Sequence, residues 1–423
     1  MPHFDSLQGW LSWQEGLHPH AIDMGLERVN SVYQRLNPGG LHPPAITVAG
    51  TNGKGSCVAY LEAVYLAQGY RVGAYTSPHI LRYNERIKIN GEPVSDTLIC
   101  QTFARIEAVR GETTLSYFEY GTLAALDIFS RSGLDVQLLE VGLGGRLDAV
   151  NIINAEAAVI TSIGIDHVDW LGTTRESIGA EKAGIFRAGV PAIVGDPEPP
   201  ASVIDVAERV KAKLYCLGSS FGYQKHARSW DWFAGDDTLS ELPNPALKGE
   251  HQFRNAASAI MAIRTLSQRL PVSEQCIRQG LKGVKLSGRF QLITGEIPVL
   301  LDVGHNPQAV KTLADYVNEA FPEQRIHAVY SMVRDKDVGG VLDIMGGIVD
   351  SWYFAPFNNS RAISEETMRG FFTQKRISNV QWGAKSFVDA YNAASASAKP
   401  GDLILVFGSF FLVSDCLAEF NKT

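Results

Sequence analysis

A β-branched run at Ile46-Thr47-Val48 leads into the glycine-rich turn Gly50-Thr51-Asn52-Gly53-Lys54-Gly55-Ser56, and apolar residues then recur at helical spacing through Val58, Leu61, Val64 and Tyr65. A strand feeding a tight turn and a helix aims several backbone N–H groups and the positive helix end at one spot. The segment therefore predicts an anion site, with phosphate as the anion. Lys54 supplies a point charge for phosphate oxygens, and Ser56 a hydroxyl within reach of magnesium. The spacing departs from the general G-x-x-x-x-G-K-[ST] pattern, because Val48 stands at the first glycine position and Gly55 directly follows the lysine. An ordinary glycine-rich turn is the competing reading. Gly69 predicts the helix stop.

Downstream, short apolar runs at 136–141, 157–163 and 191–194 are separated by helix-length segments, the pattern of a mostly parallel α/β sheet. At 423 residues the chain is longer than the roughly 250–300 at which single cores stop growing, so two domains are expected. Lys285-Leu286-Ser287-Gly288 reads as a hinge. Strand candidates at 298–302, 326–332, 352–355 and 403–407 then predict a smaller second α/β domain, giving boundaries of 1–287 and 288–423. Residues 230–247, with Gly, Asp and Pro and little period, read as a loop-rich insertion or hairpin, and a helical stretch follows near 255–266.

With 45 acidic against 38 basic residues the net charge is −7, which argues against a surface built to bind nucleic acid. An anionic ligand must be met locally. Five cysteines, at 57, 100, 216, 276 and 416, have no Cys-x-x-Cys spacing and suit neither a disulfide framework nor a zinc site. The N-terminus lacks a basic segment followed by an apolar run, and no apolar stretch reaches about 18 residues. A cytoplasmic protein, neither exported nor spanning a membrane, is expected.

Chemically useful residues fall at the predicted strand ends, where open α/β sheets bind ligands. Glu140 offers magnesium a hard carboxylate beside the glycine turn. The following Val141-Gly142-Leu143-Gly144-Gly145-Arg146-Leu147-Asp148 is too glycine-rich to continue a strand and suits close backbone approach to a ligand. Glu140 alone is equally readable as a strand-end solvent residue. His167, after Asp166, and Ser77, in Thr76-Ser77-Pro78-His79, also sit past predicted strands. Packing for the histidine and turn capping for the serine are the alternatives. Asp302-Val303-Gly304-His305-Asn306-Pro307 places a carboxylate and an imidazole after another strand, where turn chemistry alone is the competing account.

Together, Ala49 through Ser56, Thr76-Ser77-Pro78-His79, Tyr117-Phe118-Glu119-Tyr120-Gly121-Thr122, the 140–148 segment and the 302–307 segment resemble the folylpolyglutamate synthase family. The likeness is to its bacterial bifunctional form, which is also a dihydrofolate synthase, within the Mur ligase superfamily. The likeness spans almost the whole chain. It implies a P-loop-containing, mostly parallel sheet domain of the Mur ligase central-domain type, followed by a smaller Rossmann-like α/β domain. It also implies Ser77, Glu140 and His167 as magnesium ligands at two expected metal sites, with Lys54 and its loop holding the triphosphate of ATP.

By the same resemblance Lys182, in Glu181-Lys182-Ala183-Gly184-Ile185-Phe186, carries CO2 as a carbamate and acts with Lys54 and His167 in catalysis. Asn255, Arg289, Asp302 and His305 resemble nucleotide contacts. For the pterin, the family points to Asp23, Met24, Gly25 and Leu26, and to Ser116, Tyr117, Phe118 and Glu119. A flat pterin can stack on the aromatic rings while its N–H groups donate to a carboxylate, although an aromatic helix start within the core would read the same way. Gly408-Ser409-Phe410-Phe411 keeps the family's Gly-Ser-Phe, but the position of Phe411 is often more polar there.

The implied reaction joins L-glutamate to dihydropteroate, or to a tetrahydrofolate (poly)glutamate, through an acyl-phosphate, in an enzyme expected to be monomeric. A UDP-muramoyl peptide ligase is the nearest alternative. Such enzymes usually carry about a hundred residues before the loop, as a separate site for a large ligand requires, whereas 49 precede Gly50 here. A nucleotide-driven switch has no need of Asp302 and His305.

Overall fold

The β-branched run that enters the glycine turn forms strand β1 (Ala45–Ala49), buried along its whole length. The computed structural model describes residues 4–20, 22–357, 359 and 361–421. These fall into two units. The first comprises the chain through Gly164, Leu171–Ala246 and Gln252–Val284; the second comprises Ile165–Trp170, Leu247–His251 and the chain from Lys285.

In the first unit β1 is followed by β2 (Val72–Tyr75), β3 (Ile87–Ile89), β4 (Glu92–Pro93), β5 (Val136–Glu140), β6 (Ala157–Ile160), β7 (Pro191–Val194) and β8 (Lys213–Cys216). They make one eight-stranded sheet in the order β4-β3-β2-β5-β1-β6-β7-β8. From β2 to β8 the pairings are parallel, and β3 and β4 add an antiparallel edge. Strands buried on both faces need near-continuous apolar runs, which β1, β5 and β6 supply. Trp10, Val29, Leu123, Phe129 and Leu139 pack in its core.

The helix Lys54–Gln68 starts immediately after Gly53 and ends at Gly69, whose φ of +93° suits a glycine cap. A separate antiparallel sheet of β9 (Gly222–Lys225), β10 (Ser229–Ala234) and β11 (Asp237–Pro243) contains the region read as a hairpin. The helix after it spans His251–Thr265.

The second unit is a six-stranded sheet in the order β12-β13-β17-β14-β15-β16. Its strands are β12 (Gln291–Ile293), β13 (Val299–Asp302), β14 (Ile326–Tyr330), β15 (Ser351–Phe354), β16 (Val380–Gln381) and β17 (Leu403–Phe407). Only β12 runs antiparallel to its neighbour. Leu300, Ala328, Trp352 and Phe407 lie in its core.

Two expectations need correction. The strand predicted over 157–163 stops at Ile160, because Thr161 and Ser162 turn to hydrogen-bond the glycine loop. Asp166 and His167 are consequently not at a strand end. They lie in the segment Ile165–Trp170, which belongs with the second unit, and His167 has a left-handed φ of +51°.

Candidate active site

The glycine loop is fixed by the residues that end β6. Thr51 N–H donates to Ser162 O at 2.7 Å, Thr161 Oγ1 donates to Asn52 O at 2.6 Å, and Ser162 Oγ donates to the same carbonyl at 3.0 Å. Gly50 has φ +150°, and a Cβ on it would lie 2.0 Å from Thr161 Oγ1, so no side chain is tolerated there. Gly53 has φ +87°, and its Cβ would meet Asn255 Oδ1 at 2.5 Å. Asn255 is thereby brought against the loop. Its neighbour one helical turn earlier, Gln252, donates to Ser56 Oγ at 3.3 Å and accepts from Asn255 Nδ2 at 3.1 Å. Gln252 was not foreseen; its i, i+3 spacing from Asn255 was the available signal.

Two lysines converge on one carbonyl of this loop. Lys54 Nζ donates to Gly50 O at 2.9 Å and to Thr51 O at 3.2 Å, while the buried Lys182 Nζ donates to Gly50 O at 3.0 Å. Lys182 reaches the loop from the helix Arg175–Ala183.

Glu140 ends β5, which pairs with β1, so it emerges beside the loop. Its Oε2 lies 3.7 Å from where a Cβ on Gly55 would stand, at the first turn of the phosphate helix. The same Oε2 accepts the Ser77 N–H at 3.1 Å. A carboxylate and a hydroxyl-bearing residue beside a phosphate loop are hard oxygen donors, the chemistry that magnesium requires, so Ser77 and Glu140 fit a divalent ion.

Two residues beyond Glu140 the chain meets the candidate substrate side. A Cβ on Gly142 would lie 2.6 Å from the Phe118 ring, and one on Gly144 would lie 3.4 Å from Met24 Cε. Asp148 folds this loop back by accepting from Leu143 N and Val150 N at 2.9 and 3.0 Å. Burial pushes its carboxyl up to about 6 despite those hydrogen bonds.

Ser116 and Glu119 form a reciprocal capping box at the start of the helix Tyr117–Arg131. Glu119 Oε1 also accepts from Arg28 at 3.1 Å, and Arg28 pairs with Asp23 at 2.7 Å. Asp23 further meets His18 at 2.9 Å, and that hydrogen bond, with Arg28, holds its carboxyl below the usual range. Arg28 thus joins the two candidate carboxylates, reaching Glu119 across 91 residues of sequence, and no motif announced it. Tyr117 lies under the Arg86 guanidinium, 5.5 Å from the ring centre. Gly25 and Leu26 lead into the helix Glu27–Leu36 without a side-chain cap.

In the second unit, Asp302 ends β13 and accepts from Phe290 N at 3.2 Å and Gly304 N at 2.7 Å. Burial raises its carboxyl to about 6, against the pull of Arg289. Arg289 stacks on Phe410, 5.1 Å from the ring centre. His305 is held by Val303 O at 2.9 Å, and burial, reinforced by Lys336, lowers its imidazole to about 4. Asp166 lies in the same cluster. Burial opposes its charge, but Lys336, His167 and His305 outweigh that and hold the carboxyl well below the usual range.

Known proteins resemble this chain along almost its whole length. Residues 48–263 match the Mur ligase middle domain, and 288–410 match the Mur ligase glutamate ligase domain. The dihydrofolate synthase/folylpolyglutamate synthase of Escherichia coli K12 is 44% identical over 409 residues, 96% of this chain and 94% of that protein. The structure of the E. coli protein in complex with DHPP and ADP superposes with a TM-score of 0.94 at 43% identity, covering 100% of this chain and 99% of that one. A bifunctional folylpolyglutamate synthase/dihydrofolate synthase with Mn, AMPPNP and L-glutamate bound gives 0.91 at 42% identity, covering 99% of each chain.

Proposed function

We infer that this chain, which belongs to the Mur ligase family and within it to the dihydrofolate synthase/folylpolyglutamate synthases, is an ATP-dependent ligase that adds L-glutamate to dihydropteroate and to reduced folates. The observation that carries the reading is the short span from Glu140 to Gly142. One end of it lies at the phosphate loop and the other against Phe118, so a γ-phosphoryl group and an acceptor carboxylate would be served by adjacent residues.

A free carboxylate is a poor acylating agent, because its leaving group would be oxide. In the proposed reaction an acceptor carboxylate oxygen attacks the ATP γ-phosphorus, ADP departs, and an acyl-phosphate forms. The amine of L-glutamate then adds to the acyl carbon, loses a proton, and the tetrahedral intermediate expels phosphate to leave the amide. Residues 50–56 hold the triphosphate through backbone N–H groups and the helix N-terminus, with Lys54 stabilising charge during transfer. Ser77, Glu140 and His167 would hold magnesium, which when bound neutralises phosphate charge. Asn255, Arg289, Asp302 and His305 serve the nucleotide. Asp23, Met24, Gly25 and Leu26, with Ser116, Tyr117, Phe118 and Glu119, serve the pterin.

Carbamylation of Lys182 has physical support. Lys182 is buried and its Nζ shares the Gly50 carbonyl with Lys54 Nζ, so a carbamate there would set a negative charge beside Lys54. The proposal extends to a monomeric, cytoplasmic enzyme with residues 1–287 binding ATP and folate and 288–423 forming the ligase domain. Its five cysteines are all free, as a reducing compartment would keep them. No helix among the described residues is long and apolar enough to cross a membrane.

The test is mass spectrometry of products after incubation with ATP, magnesium and labelled glutamate, with dihydropteroate and tetrahydrofolate offered separately. Products heavier by one glutamate residue are expected with each acceptor. Phosphate release that ignores acceptor and glutamate, with no such product, overturns the reading.

A further inference from the structure

Arg86 carries a charge that nothing around it answers. The residue is only 9% exposed, yet no carboxylate pairs with it among the described residues. Its Nε donates to His79 Nδ1 at 2.9 Å. An imidazole nitrogen that accepts bears no proton, so His79 offers a dipole and no counter-charge. Glu85, the preceding residue, is engaged elsewhere: its oxygens accept the backbone N–H groups of Ile80, Leu81 and Arg82 at 2.7, 2.9 and 2.7 Å. The two terminal nitrogens of Arg86 donate to nothing among the described residues, and neither is sealed from solvent.

The guanidinium is held by rings instead. It lies 5.4 Å from the centre of Tyr83 and 5.5 Å from that of Tyr117. Ring faces attract a cation but offset only part of what its burial costs. A planar cation fixed in this way, with free N–H groups at its tip, suits a carboxylate. Its position ties it to the acceptor side. Tyr117 adjoins Phe118, the ring that a Cβ on Gly142 would meet, and His79 follows by two residues Ser77, whose N–H binds Glu140. All of these residues belong to the first unit.

The two kinds of acceptor differ in the charge they bring. Dihydropteroate has one carboxylate, which must reach the γ-phosphoryl group. A reduced folate ends in glutamate, whose γ-carboxylate reacts while its α-carboxylate stays charged throughout. We propose that Arg86 binds this spectator α-carboxylate and so sets recognition of folates apart from recognition of dihydropteroate. The proposal rests on the ligase reading above.

The experiment compares tetrahydrofolate with its α-carboxamide, in which the γ-carboxylate is kept, on wild type and on Arg86→Gln, with Arg86→Lys as the second variant should the first not fold. Both kcat/KM and equilibrium binding by fluorescence are read. Wild type should favour tetrahydrofolate over the amide roughly ten- to a hundredfold, the worth of one hydrogen-bonded charge contact. Arg86→Gln should lose most of that preference, and should lose more with tetrahydrofolate than with dihydropteroate. Equal use of tetrahydrofolate and the amide by wild type overturns the proposal without any variant. So does a variant whose activity falls equally with all three acceptors, as a merely structural arginine would cause. Failure of the ligase reading would show separately, as missing product from wild type with every acceptor, while the binding comparison still reports on Arg86.

Discussion

Gly142→Ala isolates the acceptor side from the nucleotide side. The added methyl would stand 2.6, 2.7 and 3.1 Å from Cζ, Cε2 and Cε1 of Phe118. Gly142 does not have a positive φ, so the cost is steric and not conformational. The ring cannot retreat by sliding its helix, because the Ser116–Glu119 box fixes the first turn, and Tyr75 stands 6.0 Å away between ring centres. Forcing one methyl into such a contact typically costs about 1–3 kcal/mol. If the displaced ring is the pterin platform, that becomes a rise of roughly 5- to 150-fold in KM for dihydropteroate, at ten-fold per 1.4 kcal/mol. KM for ATP should move little. Phe118→Leu lacks the three clashing atoms and should lose only the aromatic contribution, about 0.5–1.5 kcal/mol. The double variant should then resemble Phe118→Leu alone, because the three atoms nearest the methyl are gone. Steady-state kinetics on the four proteins, with Tm as a control for folding, closes the cycle. Additive effects, or an unchanged dihydropteroate KM in Gly142→Ala, would refute the reasoning.

Lys54→Ala and Glu140→Ala should each lower glutamate addition roughly a hundredfold or more, matching the ~3 kcal/mol lost with one preorganised charge contact, with unaltered circular dichroism. Near-normal turnover in either would sink that assignment. Wild type supplied with 13C-bicarbonate should show a carbamate carbon signal by NMR that Lys182→Ala lacks, and a signal in both proteins would place the adduct elsewhere. Asp302 titrates near 6 in the fold against an ordinary 3.8, so the native state holds the extra proton between those values. Its contribution to stability is present below about pH 4 and is lost as pH rises through 6. Asp302→Asn should therefore stabilise the protein in urea at pH 7.5, by at most about 3 kcal/mol, and should not do so at pH 4. An equal gain at both pH values would contradict this.

The strands that were legible are those with strong local pattern. β1 and β7 carry their own apolar runs, and Gly69 stops the helix where its left-handed geometry is needed. β3, β4, β12 and β16 have two or three residues each, too few to show a period. β6 was read too long because Thr161 and Ser162 look like strand residues locally but spend their hydroxyls on Asn52. The same locality governs the candidate site. Loop residues and their flanks were readable because each motif is contiguous. Arg28 and Lys336 were not, since their partners lie 91 and 170 residues away and only the fold introduces them; Gln252 was signalled only by its spacing from Asn255.

The place of β1 in its sheet bears on how such a chain matures during synthesis. Its two hydrogen-bonded neighbours are β5 and β6, so the strand that delivers the phosphate loop waits for chain made long after it. The residues that clasp the loop, Thr161 and Ser162, emerge later still. A nascent chain halted before residue 157 holds the whole nucleotide motif and β5 but lacks β6 and the clasping Thr161 and Ser162, and would have no ATP site. Non-local pairing of this kind is slow and leaves apolar strands uncovered in the interval. The most recognisable stretch of the sequence is thus a late-acquired property of the molecule and, on a ribosome, a segment for chaperones to shield.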